Sequence, residues 1–290
     1  MAHRKGIILA GGTGSRLYPI TLAVSKQLLP VYDKPMIYYP LTVLMLAGIK
    51  NILLITSVQD QFQFKNLLGD GSQWGINLEY KVQLQPDGLA QALILAEKFL
   101  DGSPSAMILG DNIFFGQGLS EILKKVSEDT SGACVFAYQV ADPERYGVAG
   151  FDDDGKINSI VEKPTKAPSD YAITGLYFFD NTASERAKLV KPSSRGELEI
   201  TDVLVSYLHD NDLNIETMGR GFAWLDTGTP VSLLDASNFV HTLTKVQKMQ
   251  LGSPDEVAYN NGWLSTEQLE KNSNRFHNSA YGKYLKKLKK

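Results

Sequence analysis

A glycine-rich segment near the N-terminus has the residue types of a phosphate-binding loop. Gly11–Ser15 directly follows the apolar run Gly6–Ala10, and Arg16 comes next. Glycines let backbone N–H groups approach an anion closely and adopt φ > 0, so such a turn can form a concave anion site. The planar Arg16 guanidinium suits phosphate oxygens. This segment therefore predicts a site for a phosphorylated ligand.

The spacing of this loop differs from that of two common phosphate loops. A Walker A loop starting at Gly11 requires Gly-Lys-Ser/Thr where Arg16 and Leu17 stand. A dinucleotide-binding fingerprint starting at Gly12 requires a small residue in place of Leu17, and Pro19 blocks an early helix. Taken alone, the glycines remain compatible with an ordinary turn after a strand. A P-loop ATPase and a dehydrogenase are therefore disfavoured.

Two carboxylates follow apolar runs that are far apart in the sequence. Asp111 comes after Ser105–Leu109 and Gly110, and Asp226 follows Leu225 at the end of a second apolar run. Each could be a turn residue or a ligand of Mg²⁺, which takes one or two carboxylates together with substrate phosphate oxygens. The sequence alone does not pair them.

Other polar residues stand where predicted strands end. Gln83 precedes a predicted helix and offers both a donor and an acceptor to a base edge, with Gly88 nearby. Ligands of open α/β sheets bind beyond the carboxyl ends of strands. The alternative is a simple loop with a helix cap at Asp87. Glu162 and Lys163 could likewise line a site or form a surface ion pair of little energetic weight.

Alternating strands and helices must position these residues. Apolar runs predict strands at 6–10, 51–56, 78–83 and 105–109 and helices at 36–47, 59–68 and 89–100. This alternation is typical of a mainly parallel α/β sheet. A helix at 119–127 and a strand at 133–140 precede closely spaced strands at 148–151, 156–161 and 173–179, which predict a mixed, partly antiparallel region. Helices are predicted at 198–209 and 230–250, followed by a polar tail with helical pieces and a solvated basic end.

The composition is that of an ordinary globular protein. The chain has 290 residues, 43% of them hydrophobic and 21% charged, and its net charge of −3 argues against a nucleic-acid partner. The single cysteine, Cys134, lies in an apolar run and is expected to be a buried, inert thiol. No signal peptide or membrane-spanning segment is visible, so we expect a cytoplasmic protein without a membrane partner. The histidines lack metal-ligand spacing and are expected at the surface: His3, His209, His241 and His277.

The N-terminal motifs resemble those of a known family. LAGGTGSRLYPIT at 9–21 and SKQLLPVYDKPMIYYP at 25–40 are similar to the signature of the sugar-phosphate nucleotidylyltransferases, most closely the glucose-1-phosphate thymidylyltransferase group. The resemblance covers the whole chain. It implies a Rossmann-like mixed, mainly parallel sheet flanked by helices, with a smaller β-rich sugar-binding part. It also implies that glucose 1-phosphate attacks the α-phosphorus of dTTP, with Mg²⁺ as cofactor, to give dTDP-glucose and pyrophosphate for dTDP-deoxysugar synthesis, such as that of dTDP-rhamnose.

The resemblance further implies roles for individual residues. The nucleotide contacts would be Leu9, Gly11, Gly12, Thr13, Gly14, Ser15, Arg16, Gln27, Gln83, Pro86, Gly88 and Asp111. The sugar-phosphate contacts would be Lys26, Tyr146, Gly147, Glu162, Lys163, Ile173, Tyr177 and Arg195. The catalytic group would be Arg16, Lys26, Lys163, Asp111 and Asp226, with the two aspartates as metal ligands. Glu197 and Glu199, which follow Arg195, could be solvated acids at a helix start.

The resemblance also predicts a division of the chain. Residues 1–240 would form the catalytic domain, with 1–140 mainly binding nucleotide and 141–230 mainly binding sugar phosphate, and 241–290 would make oligomer or regulatory contacts. A homotetramer inhibited by a nucleotide-sugar end product is typical of the family. Two alternatives remain: the same chemistry with UTP, and a non-catalytic nucleotide-sugar sensor on this scaffold. In the base-binding loop, Leu84 stands where the family has a proline.

Overall fold

The structure, a computed structural model, describes residues 3–288. Its strands are β1 (Lys5–Ala10), β2 (Pro30–Val31), β3 (Lys34–Pro35), β4 (Asn51–Thr56), β5 (Asn77–Val82), β6 (Ser105–Leu109), β7 (Asn112–Gly116), β8 (Ala133–Gln139), β9 (Gly147–Phe151), β10 (Ile157–Glu162), β11 (Tyr171–Phe179), β12 (Leu213–Met218) and β13 (Phe222–Asp226). Its α-helices are α1 (Tyr38–Leu46), α2 (Gln61–Leu68), α3 (Gln91–Leu100), α4 (Leu119–Glu128), α5 (Ala183–Leu189), α6 (Ile200–His209), α7 (Pro230–Gln247), α8 (Pro254–Asn260), α9 (Thr266–Arg275) and α10 (Ala280–Leu285).

Strand β1 lies inside one large sheet. It pairs in parallel with β4 on one side and β6 on the other, and β5 extends the sheet beyond β4. On the other side of β6, the antiparallel strand β11 pairs with β6, β8 and β9. Strand β12 then pairs with β8, and β10 pairs with β9. The predicted parallel sheet with a partly antiparallel continuation is therefore confirmed.

The side chains of β1 alternate between two buried clusters. Ile8 packs with residues of α1, α2 and α4, whereas Ile7 and Leu9 pack with residues of α3, α5 and α6. Successive strand residues point to opposite faces, so helices cover the sheet on both sides. This double burial explains why the strand sequence is continuously apolar.

Several elements were not predicted from the sequence. These are the β2–β3 hairpin, α5, β12 and the antiparallel pair β7–β13. Only Gly110 and Asp111 separate the end of β6 from the start of β7, so the sequence of the two strands resembles one segment that ends in a turn. The predicted elements are confirmed, and their ends either match the prediction or shift by one to three residues, which is ordinary at element termini.

The C-terminal part is helical, as predicted, and α9 and α10 enclose a small core of Leu269, Tyr281 and Leu285. The four histidines are exposed, as expected. Cys134 is largely shielded from solvent, and its burial raises the pKa of the thiol to about 12, which fits an inert residue. No helix within residues 3–288 is both long and apolar enough to span a membrane.

Candidate active site

The glycine-rich loop leaves the carboxyl end of β1 and continues into short 3₁₀ turns. Gly12 and Gly14 have φ angles of 94° and 61°, a region that side chains disfavour. The Thr21 hydroxyl donates to the Gly14 carbonyl at 2.8 Å, which fixes the end of the loop. The loop walls a cavity of about 240 Å³ lined by Gly11, Gly12, Thr13, Gly14, Ser15, Arg16, Lys26, Gln27 and Gly228.

A second cavity of about 560 Å³ adjoins the first and shares Gly11, Arg16, Lys26 and Gln27 with it. Its other lining residues include many that the sequence predicted for the site: Leu9, Asp111, Tyr146, Gly147, Glu162, Lys163, Ile173, Tyr177 and Asp226. The fold therefore brings the phosphate-type loop and the expected sugar-binding residues to one continuous region.

Strand pairing brings the two aspartates together. In the antiparallel pair β7–β13, Asp226 stands opposite Asn112, which follows Asp111. The Thr227 hydroxyl donates to the Asp111 carbonyl at 2.8 Å and ties the two strand ends. The carboxylates thus line the same cavity, although 115 positions separate them in the chain.

The two carboxylates have opposite pKa shifts. Burial acts to raise the pKa of Asp111, but its ion pair with Lys26 and a hydrogen bond from Asn112 leave the pKa lowered. Burial, and then the charge of Asp111, raise the pKa of Asp226. Within residues 3–288, no donor forms a hydrogen bond to the Asp226 carboxylate. A cation between the two carboxylates would reduce the repulsion between their negative charges.

The donor set suits a hard divalent cation that also binds substrate. No group of three or more His, Cys, Asp or Glu side chains in the described residues is arranged to hold a metal ion. Mg²⁺ commonly takes one or two carboxylates and completes its shell with phosphate oxygens and water. Asp111 and Asp226 place two carboxylates in the cavity beside the phosphate-type loop.

Asn112 was not predicted as a site residue, yet it links three walls of the cavity. Its amide oxygen accepts from the Trp224 indole at 2.6 Å and from the Gly175 backbone at 3.2 Å, and its amide nitrogen donates to Asp111 at 3.0 Å. A Cβ at Gly175 would lie 2.7 Å from the same amide oxygen. Asn112 thus orients Asp111. In β13, Trp224 lies two residues before Asp226, so both side chains point to the same face of the strand. This spacing was the sequence signal that could have placed Trp224, and with it Asn112, at the site.

The expected sugar side is formed by the pairing of β9 with β10. Glu162 stands opposite Gly147, and the Lys163 backbone N–H donates to the Tyr146 carbonyl at 2.9 Å. The Lys163 side chain is 47% exposed, and its ammonium lies 3.6 Å from the Glu162 carboxylate. A Cβ at Gly147 would lie 2.9 Å from Thr201, so glycine allows α6 to pack closely there.

Arg195 lies behind this wall and does not line either cavity. Its guanidinium is 3.1 Å from Glu162 and 2.8 Å from Glu199. Glu199 is only 6% exposed, lines the larger cavity and accepts from the Ser193 hydroxyl at 2.7 Å. The interpretation of Glu199 as a solvated acid is therefore wrong, because the start of α6 packs against the sheet. Glu197 lines the same cavity.

The expected base-binding segment is only partly brought to the site. Gln83 is buried and lines neither cavity, but it lies against Gly11, which lines both: a Cβ at Gly11 would lie 2.6 Å from the Gln83 amide oxygen. Pro86 is exposed, and Gly88 packs against the Leu198 backbone, so neither lines a cavity. Leu84 is also exposed and lines neither cavity. Lining residues missed from the sequence are Leu89, Leu109, Asn112, Arg145, Gly175, Ile200, Thr201 and Trp224.

Comparison with known proteins identifies the family of this chain. The profile described as Nucleotidyl transferase matches residues 5–242. A glucose-1-phosphate thymidylyltransferase of Xanthomonas campestris pv. campestris is 57% identical over 290 residues, which cover 100% of this chain and 98% of the relative.

Two solved structures have a similar fold. A Bacillus anthracis protein described as a glucose-1-phosphate thymidylyltransferase has a TM-score of 0.75 and 43% identity over 81% of this chain and 94% of that chain. A UDP-glucose pyrophosphorylase bound to UDP-glucose has a TM-score of 0.71 and 27% identity over 83% of this chain and 99% of its own. The sequence match, the sheet and the paired cavities lead to one conclusion: this chain belongs to the nucleotidyl transferase family, within its glucose-1-phosphate thymidylyltransferase group.

Proposed function

We propose that this enzyme transfers the thymidylyl group of dTTP to glucose 1-phosphate and releases pyrophosphate. The observation that carries the proposal is the pair of adjoining cavities that share Arg16 and Lys26. One cavity has the donors of a triphosphate site, and the other has the carboxylate and ammonium expected of a sugar-phosphate site. Two anionic substrates could therefore meet beside Asp111 and Asp226.

The triphosphate would lie in the glycine-rich loop. Backbone N–H groups of Gly11–Ser15 would face its oxygens, and Arg16 would hold the leaving pyrophosphate. The base would lie beside Leu9 and Gly11, within reach of Gln83. Leu89, which lines the larger cavity, would cover one face of the base.

The sugar phosphate would lie against the β9–β10 wall. Glu162 would accept hydrogen bonds from sugar hydroxyls, and the half-exposed ammonium of Lys163 would pair with the phosphate. Tyr177, Ile173 and the Gly147 backbone would line the sugar. Arg195 would act by holding Glu162, because its guanidinium is engaged with that carboxylate and with Glu199.

The chemistry requires positioning and charge stabilisation rather than a protein nucleophile. A phosphate oxygen of the sugar phosphate is already anionic, so it can attack the α-phosphorus in line without a strong general base. Lys26 and Arg16 would reduce repulsion between the two substrates. Bound by Asp111, Asp226 and triphosphate oxygens, Mg²⁺ would offset the charge that develops at the α-phosphate.

The nearest alternative is the same reaction with UTP, and a catalytically inactive sensor is the alternative from another class. The UDP-glucose neighbour is 27% identical, whereas the thymidylyltransferase relative is 57% identical over the whole chain. Intact Arg16, Lys163 and the two aspartates favour turnover over sensing. The proposal therefore keeps dTTP as the nucleotide.

We further propose that 1–240 is the catalytic domain, with nucleotide binding mainly in 1–140 and sugar-phosphate binding mainly in 141–230. The helices of 241–290 would contribute to contacts in a homotetramer and to end-product regulation. Within this segment, Val246 at the end of α7 is exposed, and the exposed Val231 and Leu234 at the start of the same helix would extend such a contact into the preceding part of the chain. Light scattering should give a mass of about four chains, and a monomer at assay concentration would contradict this part.

A nucleotide panel tests the reaction. Pyrophosphate release with glucose 1-phosphate should be fastest with dTTP, slower with UTP and negligible with ATP or GTP. The substitution Arg16→Ala should lower kcat roughly 100-fold to 1000-fold, as expected for loss of a charge-stabilising group. Lys156→Ala, at an exposed position outside both cavities, is the matched control. Equal turnover of the Arg16 variant and the control would refute the assigned role of the loop.

A further inference from the structure

A short chain of side-chain hydrogen bonds leads away from the proposed base subsite. The Gln83 amide nitrogen donates to the Gln91 amide oxygen at 2.6 Å, and the Gln91 amide nitrogen donates to the Asp87 carboxylate at 2.7 Å. Asp87 and Gln91 are four residues apart and flank the start of α3. Neither lines a cavity, so any influence on the nucleotide must pass through Gln83.

The direction of this chain is dictated by its outer end. An ionised carboxylate only accepts hydrogen bonds, whereas an amide both donates and accepts. Asp87 therefore requires the nitrogen of Gln91, which leaves the oxygen of Gln91 for Gln83. Gln83 must then present its own nitrogen to Gln91. Its oxygen is left facing Gly11, where the structure has it.

This fixed polarity has a consequence for the base. A ligand group that meets the Gln83 oxygen must be a donor. Thymine and uracil carry an N3–H donor on their pairing edge, whereas neutral cytosine has an acceptor nitrogen at the same position. A site with an acceptor would leave two acceptors facing each other when cytosine enters, and such buried mismatches are costly.

We propose that Asp87 and Gln91 are positioning residues that lock the Gln83 amide in the acceptor orientation and thereby exclude cytosine nucleotides. The inference rests on the proposed function, since it requires the base to lie at Gln83. It adds the source of the selectivity, namely a carboxylate outside the cavity that sets the polarity of an amide beside it.

Backbone hydrogen bonds hold the loop around Asp87, so its side chain can be changed without disturbing the loop. The Asp87 carbonyl accepts from the Leu198 N–H at 2.7 Å, and the Leu198 carbonyl accepts from the Ala90 N–H at 3.0 Å. These bonds fix the loop against the start of α6 and involve no side-chain atom of Asp87. The isosteric substitution Asp87→Asn therefore alters the hydrogen-bond polarity and leaves the fold of the loop in place.

The experiment compares kcat/KM for dTTP and dCTP with glucose 1-phosphate. In Asp87→Asn the anchor no longer distinguishes the two amide orientations of Gln91, so Gln83 can turn its nitrogen toward the base. We expect the dTTP to dCTP ratio to fall roughly tenfold or more, with an unchanged melting temperature. An unchanged ratio would overturn the proposal.

A double variant supplies the rescue. In Asp87→Asn combined with Gln91→Glu, the carboxylate moves to position 91, accepts from the Gln83 nitrogen and receives a donor from position 87. The polarity at Gln83 is restored, so the ratio should return toward the wild-type value. A ratio that stays as low as in Asp87→Asn would also overturn the proposal, because a purely structural role of Asp87 would not be repaired in this way.

Gln83→Ala distinguishes the position of the base from the polarity relay. If it lowers the ratio while Asp87→Asn does not, the base lies at Gln83 but the polarity relay is refuted. If Gln83→Ala leaves the ratio unchanged, the base does not lie at Gln83, and both the proposed base position and the relay fail. With the relay in place, both variants lower the ratio and the double variant restores it.

Discussion

Replacing Asn112 by alanine should show how strongly one buried amide supports the site. Its oxygen is the acceptor for the Trp224 indole and the Gly175 backbone N–H, and the residue is buried. Each buried donor that loses its partner costs about 1–3 kcal/mol. For two such donors at the wall of a cavity that admits some water, we expect a loss of about 3 kcal/mol. For a domain of this size that corresponds to a melting temperature lower by roughly 6–12 °C.

The same substitution should weaken metal-dependent turnover. Asn112 donates to one oxygen of Asp111 at 3.0 Å and so fixes a carboxylate to which we assign a Mg²⁺ contact. Loss of a residue that orients a metal ligand typically costs 10-fold to 100-fold in metal affinity or activity. In a pyrophosphate-release assay at 25 °C, the Mg²⁺ concentration for half-maximal rate should therefore rise by about tenfold or more.

A second substitution tests the physical reason. Trp224→Phe removes one of the two donors, so Asn112→Ala should cost about 1–2 kcal/mol less in that background than in the wild type. Chemical denaturation of the four proteins gives this coupling. Full additivity, or an Asn112→Ala protein that melts within 2 °C of the wild type, would refute the assignment of Asn112 as the shared acceptor.

Two further substitutions follow from the site and its supporting loop. Burial and the charge of Asp111 raise the pKa of Asp226, so above that raised pKa the charged carboxylate destabilises the metal-free fold. Asp226→Asn should abolish activity and yet raise the melting temperature of the metal-free protein at pH 8. This gain in melting temperature should shrink as the pH falls through the pKa of Asp226 in the folded protein. A melting temperature that falls at pH 8 would contradict this reasoning. Gly88→Ala should destabilise the protein by about 1–3 kcal/mol in urea, because its φ is 109° and a Cβ would lie 2.5 Å from the Leu198 backbone nitrogen. Gly155→Ala, at φ 77° with no atom within 4 Å of the added Cβ, is the matched control and should lose clearly less, so equal losses would exclude the close contact as the cause.

The sequence determined the parallel half of the sheet because β1, β4 and β6 are buried on both faces, and the edge strand β5 shows the alternation of a strand buried on one face. Continuous apolar runs such as Asn51–Thr56 and Ser105–Leu109 match the observed strands residue for residue. The sequence also located the phosphate-type loop after β1, because several glycines in succession have few structural uses other than a tight turn or an anion site. Both signals are local, so they survive without knowledge of the fold.

Only the tertiary structure decided which polar residues meet. Asp111 and Asp226 come together through the pairing of β7 with β13, which no local pattern announces. The sequence left open that Glu199 is a solvated acid, because the burial of this residue depends on how α6 packs against the sheet. The hydrogen bonds from Gln83 to Gln91 and from Gln91 to Asp87 likewise join side chains that only the folded loop brings together. Hydrogen-bond partners are chosen by positions in space, whereas the sequence records only the groups that are available to pair.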